Sequence, residues 1–374
     1  MKPIRFFLLC TTALLFWVSS LHAQDISRSF DVSPRSTLIL TLKTGGDVLI
    51  RGWEHDRVEA SVVIRGRDAS DVVMDFDQSS KTIEISSEFA SRRSRANVSV
   101  EVRVPSRFDL DVSTTGGDLE IHGVTGTIEG SSMGGDLVLS HLGGKLDLST
   151  MGGDIGLTDS EVDGSLHTMG GDVAISDVTG NIDGTTMGGD VTYDNVRSSR
   201  SGSEDVVKVS SMGGDVVIDE ALHGADVHTM GGDVQINRAA NYVKAGTMGG
   251  DIVVSEIDGW IEANTMGGDI EVNMVGGTTG DRHVELESRG GTIVLSVPPG
   301  LSMDIDIRIL LSRGADWNEY EIVSDFDLEV DVENDSERRW HTNREVVATG
   351  RVGNGGNKIV IRTVNGNVVL KRGR

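Results

Sequence analysis

The stretch that decides the fold is Thr168-Met169-Gly170-Gly171-Asp172-Val173-Ala174-Ile175. Apolar side chains alternate with polar or small ones along it, which is the period of a β-strand and not of a helix. Counted back from Ile175, this alternation places Val173, Gly171 and Met169 on one side of the chain. The adjacent glycines indicate a tight turn just before the strand.

The same motif returns at a fixed interval. Gly-Gly-Asp recurs in steps of 18 from 118 to 190 and from 215 to 269, ending at Asp118, Asp136, Asp154, Asp172, Asp190, Asp215, Asp233, Asp251 and Asp269. The step from 190 to 215 is longer by seven, and a degenerate copy, Gly290-Gly291-Thr292, follows Asp269 after a step that is longer by five. The common helical-pair repeats need more than about 30 residues. The period therefore predicts an all-β fold, a parallel β-helix or β-solenoid with 18-residue coils. The crossover rule favours a right-handed coil, although left-handed solenoids also use this length.

Stacked coils place equivalent residues one strand spacing, about 4.8 Å, apart, so each motif position becomes a column. We expect the second glycine of each pair to point inward and to leave room for an inward methionine column. This column is Met133, Met151, Met169, Met187, Met212, Met230, Met248 and Met266. We expect the Asp column and the threonine column to point outward, the latter being Thr150, Thr168, Thr186, Thr229, Thr247 and Thr265.

The two long steps locate two insertions. Seven extra residues fall within 197–205, after Val196, and five fall within 276–282, after Val275. Both valines lie six residues past their aspartate, so both insertions leave the coil at one corner, about 19 Å apart along the axis. Insertions on one face of a repeat array often mark its binding face, and the alternative is a corner that merely tolerates insertion. The candidate partner contacts are Arg197, Arg200, Asp281 and Arg282.

The Asp column suggests two kinds of chemistry. Calcium prefers oxygen ligands, and the candidate ligands are Asp136, Asp154, Asp172 and Asp190. A calcium-binding repeat of the form Gly-Gly-x-Gly-x-Asp has a nine-residue unit, so two units would also give 18. Here the aspartate follows Gly-Gly directly, which departs from that pattern. In the alternative interpretation each aspartate accepts hydrogen bonds from backbone N–H groups at the glycine turn.

The N-terminus predicts export. Lys2 and Arg5 precede an apolar run over 6–21 and a small residue at Ala23, which indicates a secretory signal peptide over 1–23, with an uncleaved anchor as the alternative. We divide the rest into a β-rich N-terminal cap or irregular coils over 24–110, the regular solenoid over 111–300 and a C-terminal β cap over 301–374. The expected location is the periplasm, the outer surface or the medium, with no transmembrane segment after cleavage.

Composition narrows the function. The net charge is −24, and removal of Lys2 and Arg5 takes it to −26, which argues against nucleic acid or anionic lipid as a partner. The one cysteine, Cys10, lies in the predicted signal peptide, so the exported chain would have no disulfide. No catalytic residue or cofactor motif is evident. Some parallel β-helices process polysaccharides, but an aromatic content of 4% disfavours this enzymatic alternative.

Several of these features together resemble a known bacterial family, the "putative adhesin" domains of unknown function. They are the Gly-Asp-Val-Leu-Ile strand at 46–50, the Val104-Pro105 step, the serial Gly-Gly-Asp coils and the closing Gly-Asn-Val-Val-Leu at 366–370. The resemblance covers nearly all of the chain after residue 23. It implies a β-helix-like fold and an envelope or extracellular location, and it supplies no catalytic residues. Taken with the composition, we expect a non-enzymatic binding or structural scaffold with an unknown surface or envelope partner, protein or glycan.

Overall fold

The computed structural model of the protein describes residues 23–33, 35–197, 206–312, 319–334 and 344–373. The described chain is all-β, with 30 strands in one continuous sheet and one short 3₁₀ helix at Ala69–Asp71. No helix in these ranges is long and apolar enough to cross a membrane.

The strands form three groups along the chain. The first group is β1 (Ala23–Asp31), β2 (Thr37–Leu42), β3 (Asp47–Trp53), β4 (Arg57–Arg65), β5 (Val72–Gln78), β6 (Thr82–Phe89), β7 (Asn97–Pro105) and β8 (Asp109–Thr114). The second group begins with β9 (Leu119–His122), β10 (Thr125–Ser132), β11 (Leu137–Ser140), β12 (Gly143–Thr150), β13 (Ile155–Thr168), β14 (Val173–Thr179), β15 (Ile182–Thr186) and β16 (Val191–Asp194). It continues with β17 (Val207–Ser210), β18 (Val216–Ala221), β19 (Ala225–His228), β20 (Val234–Gly246), β21 (Ile252–Thr265), β22 (Ile270–Met274), β23 (Val284–Ser288) and β24 (Ile293–Val297). The third group is β25 (Met303–Leu311), β26 (Ile322–Ser324), β27 (Glu329–Asn334), β28 (Arg344–Val352), β29 (Asn357–Val364) and β30 (Val368–Arg372).

Parallel pairing in the second group follows the sequence period. Leu137 pairs with Ile155, Ile155 with Val173, and Val173 with Val191, so each partner lies one sequence period further on. The stretch of chain between two such partners is called a coil below. Across the two insertions the offset grows by the inserted length, as in the pair Val191–Val216 and the pair Ile261–Val284. Alternate side chains point inward and build one apolar core, to which Val173 and Ile175 each contribute a side chain that is almost fully buried.

The two ends of the chain extend the same stack. Near the N-terminus, β2 and β3 pair in parallel with β8 and β9, which follow much later in the chain, while β4 pairs antiparallel with β1 and β7. Near the C-terminus, β29 and β30 pair in parallel with β23 and β24. Residues 359–363 and 368–372 thus pair in register with strands of the repeat region. Between β25 and β28 the described chain forms two short strands, β26 and β27.

The expected facing of two columns is wrong. The methionines point outward, with between 38% and 56% of each side chain exposed, whereas the six threonines are buried. The reason is the bend at Met-Gly-Gly, which interrupts the strand between Thr168 and Val173. At the bend, successive inward residues are three positions apart instead of two. Gly171 and Val173 therefore face inward as predicted, but the inward residue before them is Thr168 and not Met169.

Candidate functional site

The buried threonines form a hydrogen-bonded line beside the Met-Gly-Gly bend of the coils. Thr168 Oγ1 donates to the carbonyl oxygen of Gly153 one coil earlier, at 2.8 Å, and accepts from the N–H of Gly171 in its own turn, at 3.3 Å. The donated bond recurs in coil after coil at 2.7–3.2 Å, from Ser132 to Thr363. The carbonyl group of Gly153 and the N–H of Gly171 would otherwise be buried without a partner, so the hydroxyl stabilises the turn.

The second glycine of each pair is required by close packing between coils. A Cβ added to Gly171 would lie 2.2 Å from the carbonyl oxygen of Gly153, whereas one added to Gly170 would meet nothing nearer than 3.6 Å. Two backbones therefore approach more closely at Gly171 than any side chain allows. Glycine here makes room for the neighbouring coil's backbone and not, as expected, for methionine.

The aspartates form a ladder outside the same turn. The Oδ1 atom of Asp154 accepts the backbone N–H of Asp172 at 2.9 Å, and Asp172 accepts that of Asp190 at 2.8 Å. The same bond is present at the other steps between Asp47 and Thr292, at 2.6–3.2 Å. Most of the carboxylates remain exposed. Each aspartate thus accepts a backbone N–H, as that interpretation expects, but the donor lies in the next coil and not in the aspartate's own turn.

The calcium hypothesis concerns this same ladder. Asp136, Asp154, Asp172 and Asp190 lie in consecutive coils, and one oxygen of each is already a hydrogen-bond acceptor. Among the described residues no group of three or more His, Cys, Asp or Glu side chains is arranged to hold a metal ion. Calcium binding stays a prediction, and a melting curve in calcium against one in chelator would test it.

The two insertions leave the coil at equivalent positions. Val196 lies one coil beyond Val178, since the neighbouring Arg197 is bridged to Thr179, and the N–H of Val275 donates to the carbonyl oxygen of Ile257 at 2.9 Å. Val178 and Ile257 occupy the same place in their coils, six residues past Asp172 and Asp251. The corner that follows this place is called the insertion corner, and it comprises residues 178–182, 196–197, 222–224, 240–242, 258–260 and 275–283.

A cleft of about 220 Å³ opens at the first insertion. The strands β15 and β17 pair only at Gly184–Val209 and at the residue that follows each of these. The cleft arises because the two strands are not paired before these residues. The cleft is lined by Ile182, Tyr193, Val196, Leu222 and His223, among others. Leu222 is the exposed apolar side chain at its edge.

Tyr193 forms the floor of this cleft. Its hydroxyl donates to the carbonyl oxygen of Ile182 at 2.9 Å and accepts the N–H of Gly184 at 2.5 Å. Burial raises the pKa of the Tyr193 phenol, so the ring stays neutral at physiological pH. Tyr193 therefore keeps the separated strand in place and acts as a structural group.

A stacked aromatic pair lies on the insertion corner between the two insertions. Tyr242 and Trp260 are register partners in adjacent coils, with ring centroids 5.0 Å apart and planes 12° from parallel. The ammonium of Lys244 lies 5.7 Å from the centroid of the Trp260 ring. Both rings are half-buried and project from the outer face of the sheet. The two rings therefore stack on each other from coil to coil, with a cation over the indole, and together form a half-buried apolar patch on the outer face.

The structure describes three of the four predicted contact residues. Arg197 and Asp281 are exposed at the insertion corner, and Arg200 lies outside the described residues. Arg282 is buried, with its guanidinium paired with Asp258 and its Nε donating to the carbonyl oxygen of Gly277 at 3.2 Å. Arg282 therefore holds the second insertion against the sheet, which is a role within the chain.

Sequence reasoning missed the residues that give this corner its shape. Leu222 and Tyr242 carry no motif, and their place became visible only through strand register. One signal was present: Tyr242 and Trp260 are separated by one repeat period, so the period alone aligns them.

No protein-family model matches the chain, and no curated protein matches it. Among solved structures, the chain is similar to a "putative adhesin" from Parabacteroides merdae, with 13% identity, a TM-score of 0.36, and coverage of 68% of this chain and 97% of that one. It is also similar to one from Parabacteroides distasonis, with 13% identity, a TM-score of 0.27, and coverage of 73% and 96%. A "putative lipid binding protein" from Parabacteroides distasonis has 10% identity, a TM-score of 0.23, and coverage of 94% and 97%. At these TM-scores the likenesses carry no argument about function.

Proposed function

We propose that the protein is a non-enzymatic binding scaffold of the cell envelope or surface, which presents the insertion corner to a protein or glycan partner. The observation that carries this proposal is the bracketing of the stacked pair Tyr242–Trp260 by two insertions that leave the coil at one corner. Insertions on one face of a repeat array often mark the face that binds.

The scaffold itself is proposed to be a right-handed β-solenoid of 18-residue coils. The pairing of residues one period apart in successive parallel strands supports this architecture. Such a stack is quasi-one-dimensional, because each coil contacts only its neighbours. It would hold the insertion corner as a rigid, elongated surface, as adhesion requires.

The chemistry of the corner favours a partner with an apolar surface. Half-buried aromatic rings are frequent energetic centres of protein interfaces, and they also stack against sugar rings. The exposed Leu222 beside the cleft adds apolar area. The net charge of −24 disfavours nucleic acid and anionic membranes as the partner.

Substitutions at the corner test the proposal. Trp260→Ala and Leu222→Asp should each weaken binding of the full chain to intact bacterial cells or to members of a glycan array. The matched controls are Trp53→Ala, near the N-terminus, and Val138→Asp, an equally exposed apolar residue away from the corner. Binding that responds equally to corner and control substitutions would refute the assignment.

Shortening the insertions provides a second test. Removal of residues 199–205 or of residues 276–280 restores a step of 18 between successive motifs. We expect both shortened chains to fold and to bind the partner less tightly. Retained folding with unchanged binding would show that the corner merely tolerates insertion.

A further inference from the structure

The methionine column is an outward part of the repeat that the fold leaves unexplained. Gly171 is fixed by the backbone of the preceding coil, Thr168 by its two hydrogen bonds and Asp172 by the ladder. Met169 points outward at the bend and is 38% exposed, and the other seven methionines of the column are exposed to a similar or greater extent.

The column is also uniform, whereas a nearby position of the repeat varies. All eight coils from 133 to 266 carry methionine, whereas the position two residues earlier is Ser131, Ser149, His167, Thr185, Ser210, His228, Gly246 or Asn264. An apolar surface alone would accept leucine, isoleucine or valine in some coils. What methionine has and these residues lack is the thioether sulfur.

The backbones of the column are spaced so that neighbouring thioethers can share one ion. Their backbones stack coil on coil: the N–H of Met151 donates to the carbonyl oxygen of Ser132 at 3.2 Å, and Thr185 pairs with Ser210 across the first insertion, so the column is continuous. Neighbouring methionines therefore start about 4.8 Å apart. A metal–sulfur bond is about 2.3 Å long for zinc and thiolate, so an ion bound between two sulfur atoms holds them up to about 4.6 Å apart. Flexible methionine side chains span the small difference.

From these observations we infer that the exposed methionine column binds soft monovalent metal ions of the copper(I) class. Thioether sulfur is a soft ligand that selects Cu(I), whereas carboxylates and water suit Ca²⁺ and Mg²⁺. If each ion bridges two neighbouring methionines, the column of eight would hold up to about four ions. This site is distinct from the insertion corner and does not depend on the proposed function.

The probes are Ag(I), which needs no reducing agent, and Cu(I) kept reduced under anaerobic conditions in competition with a chromogenic chelator. All proteins carry Cys10→Ser, so that thioethers are the only sulfur ligands. In the test variant the eight column methionines are replaced by leucine, which keeps the apolar surface and removes the sulfur. The control variant has Met74→Leu, Met274→Leu and Met303→Leu, which removes the other methionines after the first residue.

We expect the parent and the control variant to bind several ions per chain and the eight-leucine variant to lose this binding while it keeps its thermal transition. If the eight-leucine variant does not fold, Met169→Leu with Met187→Leu should lower the number of bound ions. A parent that binds neither ion, or leucine variants that bind as well as the parent, would overturn the inference.

Discussion

The hydroxyl of Thr168 donates a 2.8 Å hydrogen bond to the carbonyl oxygen of Gly153, fifteen residues earlier and one coil below. The side chain is fully buried, and it also accepts the N–H of Gly171. One side chain thus joins its own turn to the turn of the preceding coil.

Replacing Thr168 with valine should destabilise the protein by about 1–3 kcal/mol, because two buried backbone groups lose their partner while the volume is kept. Chemical denaturation would measure the change in the free energy of unfolding. Thr192→Val, at an exposed position of β16, is the control and should change stability by less than about 0.5 kcal/mol. Equal effects at both sites would contradict the structural role of the hydroxyl.

The two glycines of one motif should respond very differently to alanine. Gly171→Ala places a Cβ 2.2 Å from a backbone oxygen that cannot move without shifting a coil, so we expect a loss on the order of 2–4 kcal/mol. Gly170→Ala meets nothing nearer than 3.6 Å and should be close to neutral. Thermal unfolding of the two variants in parallel makes the comparison, and similar melting temperatures would refute the close approach.

The aspartate ladder predicts a contrast between alanine and asparagine. Asp172→Ala leaves the N–H of Asp190 without its acceptor and should cost about 1 kcal/mol, since the site is exposed to water. Asp172→Asn keeps an oxygen at this place and should retain most of the stability. If asparagine were as harmful as alanine, charge and not hydrogen bonding would be the important property of the column.

The sequence allowed the period, the strand type, the inward glycine and the valine–isoleucine core to be predicted, because each depends on spacing or on local alternation. The facing of Met169 could not be obtained in this way. Alternation holds only while the backbone stays extended, and the bend between Thr168 and Val173 breaks it. The corner residue Leu222 was equally out of reach, since its importance comes from what adjacent coils place beside it.

Acid should weaken an ion pair near the C-terminal end. The N–H of Gly356 and the guanidinium of Arg351 lower the pKa of Asp304. A carboxyl with a lowered folded-state pKa stabilises the fold above its unfolded value of about 3.9, and this contribution is lost as the pH falls through the folded value. Asp304→Asn should therefore lose less thermal stability than the parent between about pH 5 and pH 2. Identical pH profiles for the two proteins would contradict this prediction.

The most direct test of the central claim, that one repeat period makes one stacked coil, is the removal of a single unit. Deletion of residues 155–172 joins Asp154 to Val173 and keeps every later residue in phase. We predict that this shortened chain retains a cooperative thermal transition and the circular dichroism of β-structure. Deletion of residues 156–172 removes one residue fewer. It would move the side chains of the following strand to the opposite face and should abolish the transition. If the two deletions behave alike, whether both fold or both unfold, the 18-residue coil is not the structural unit.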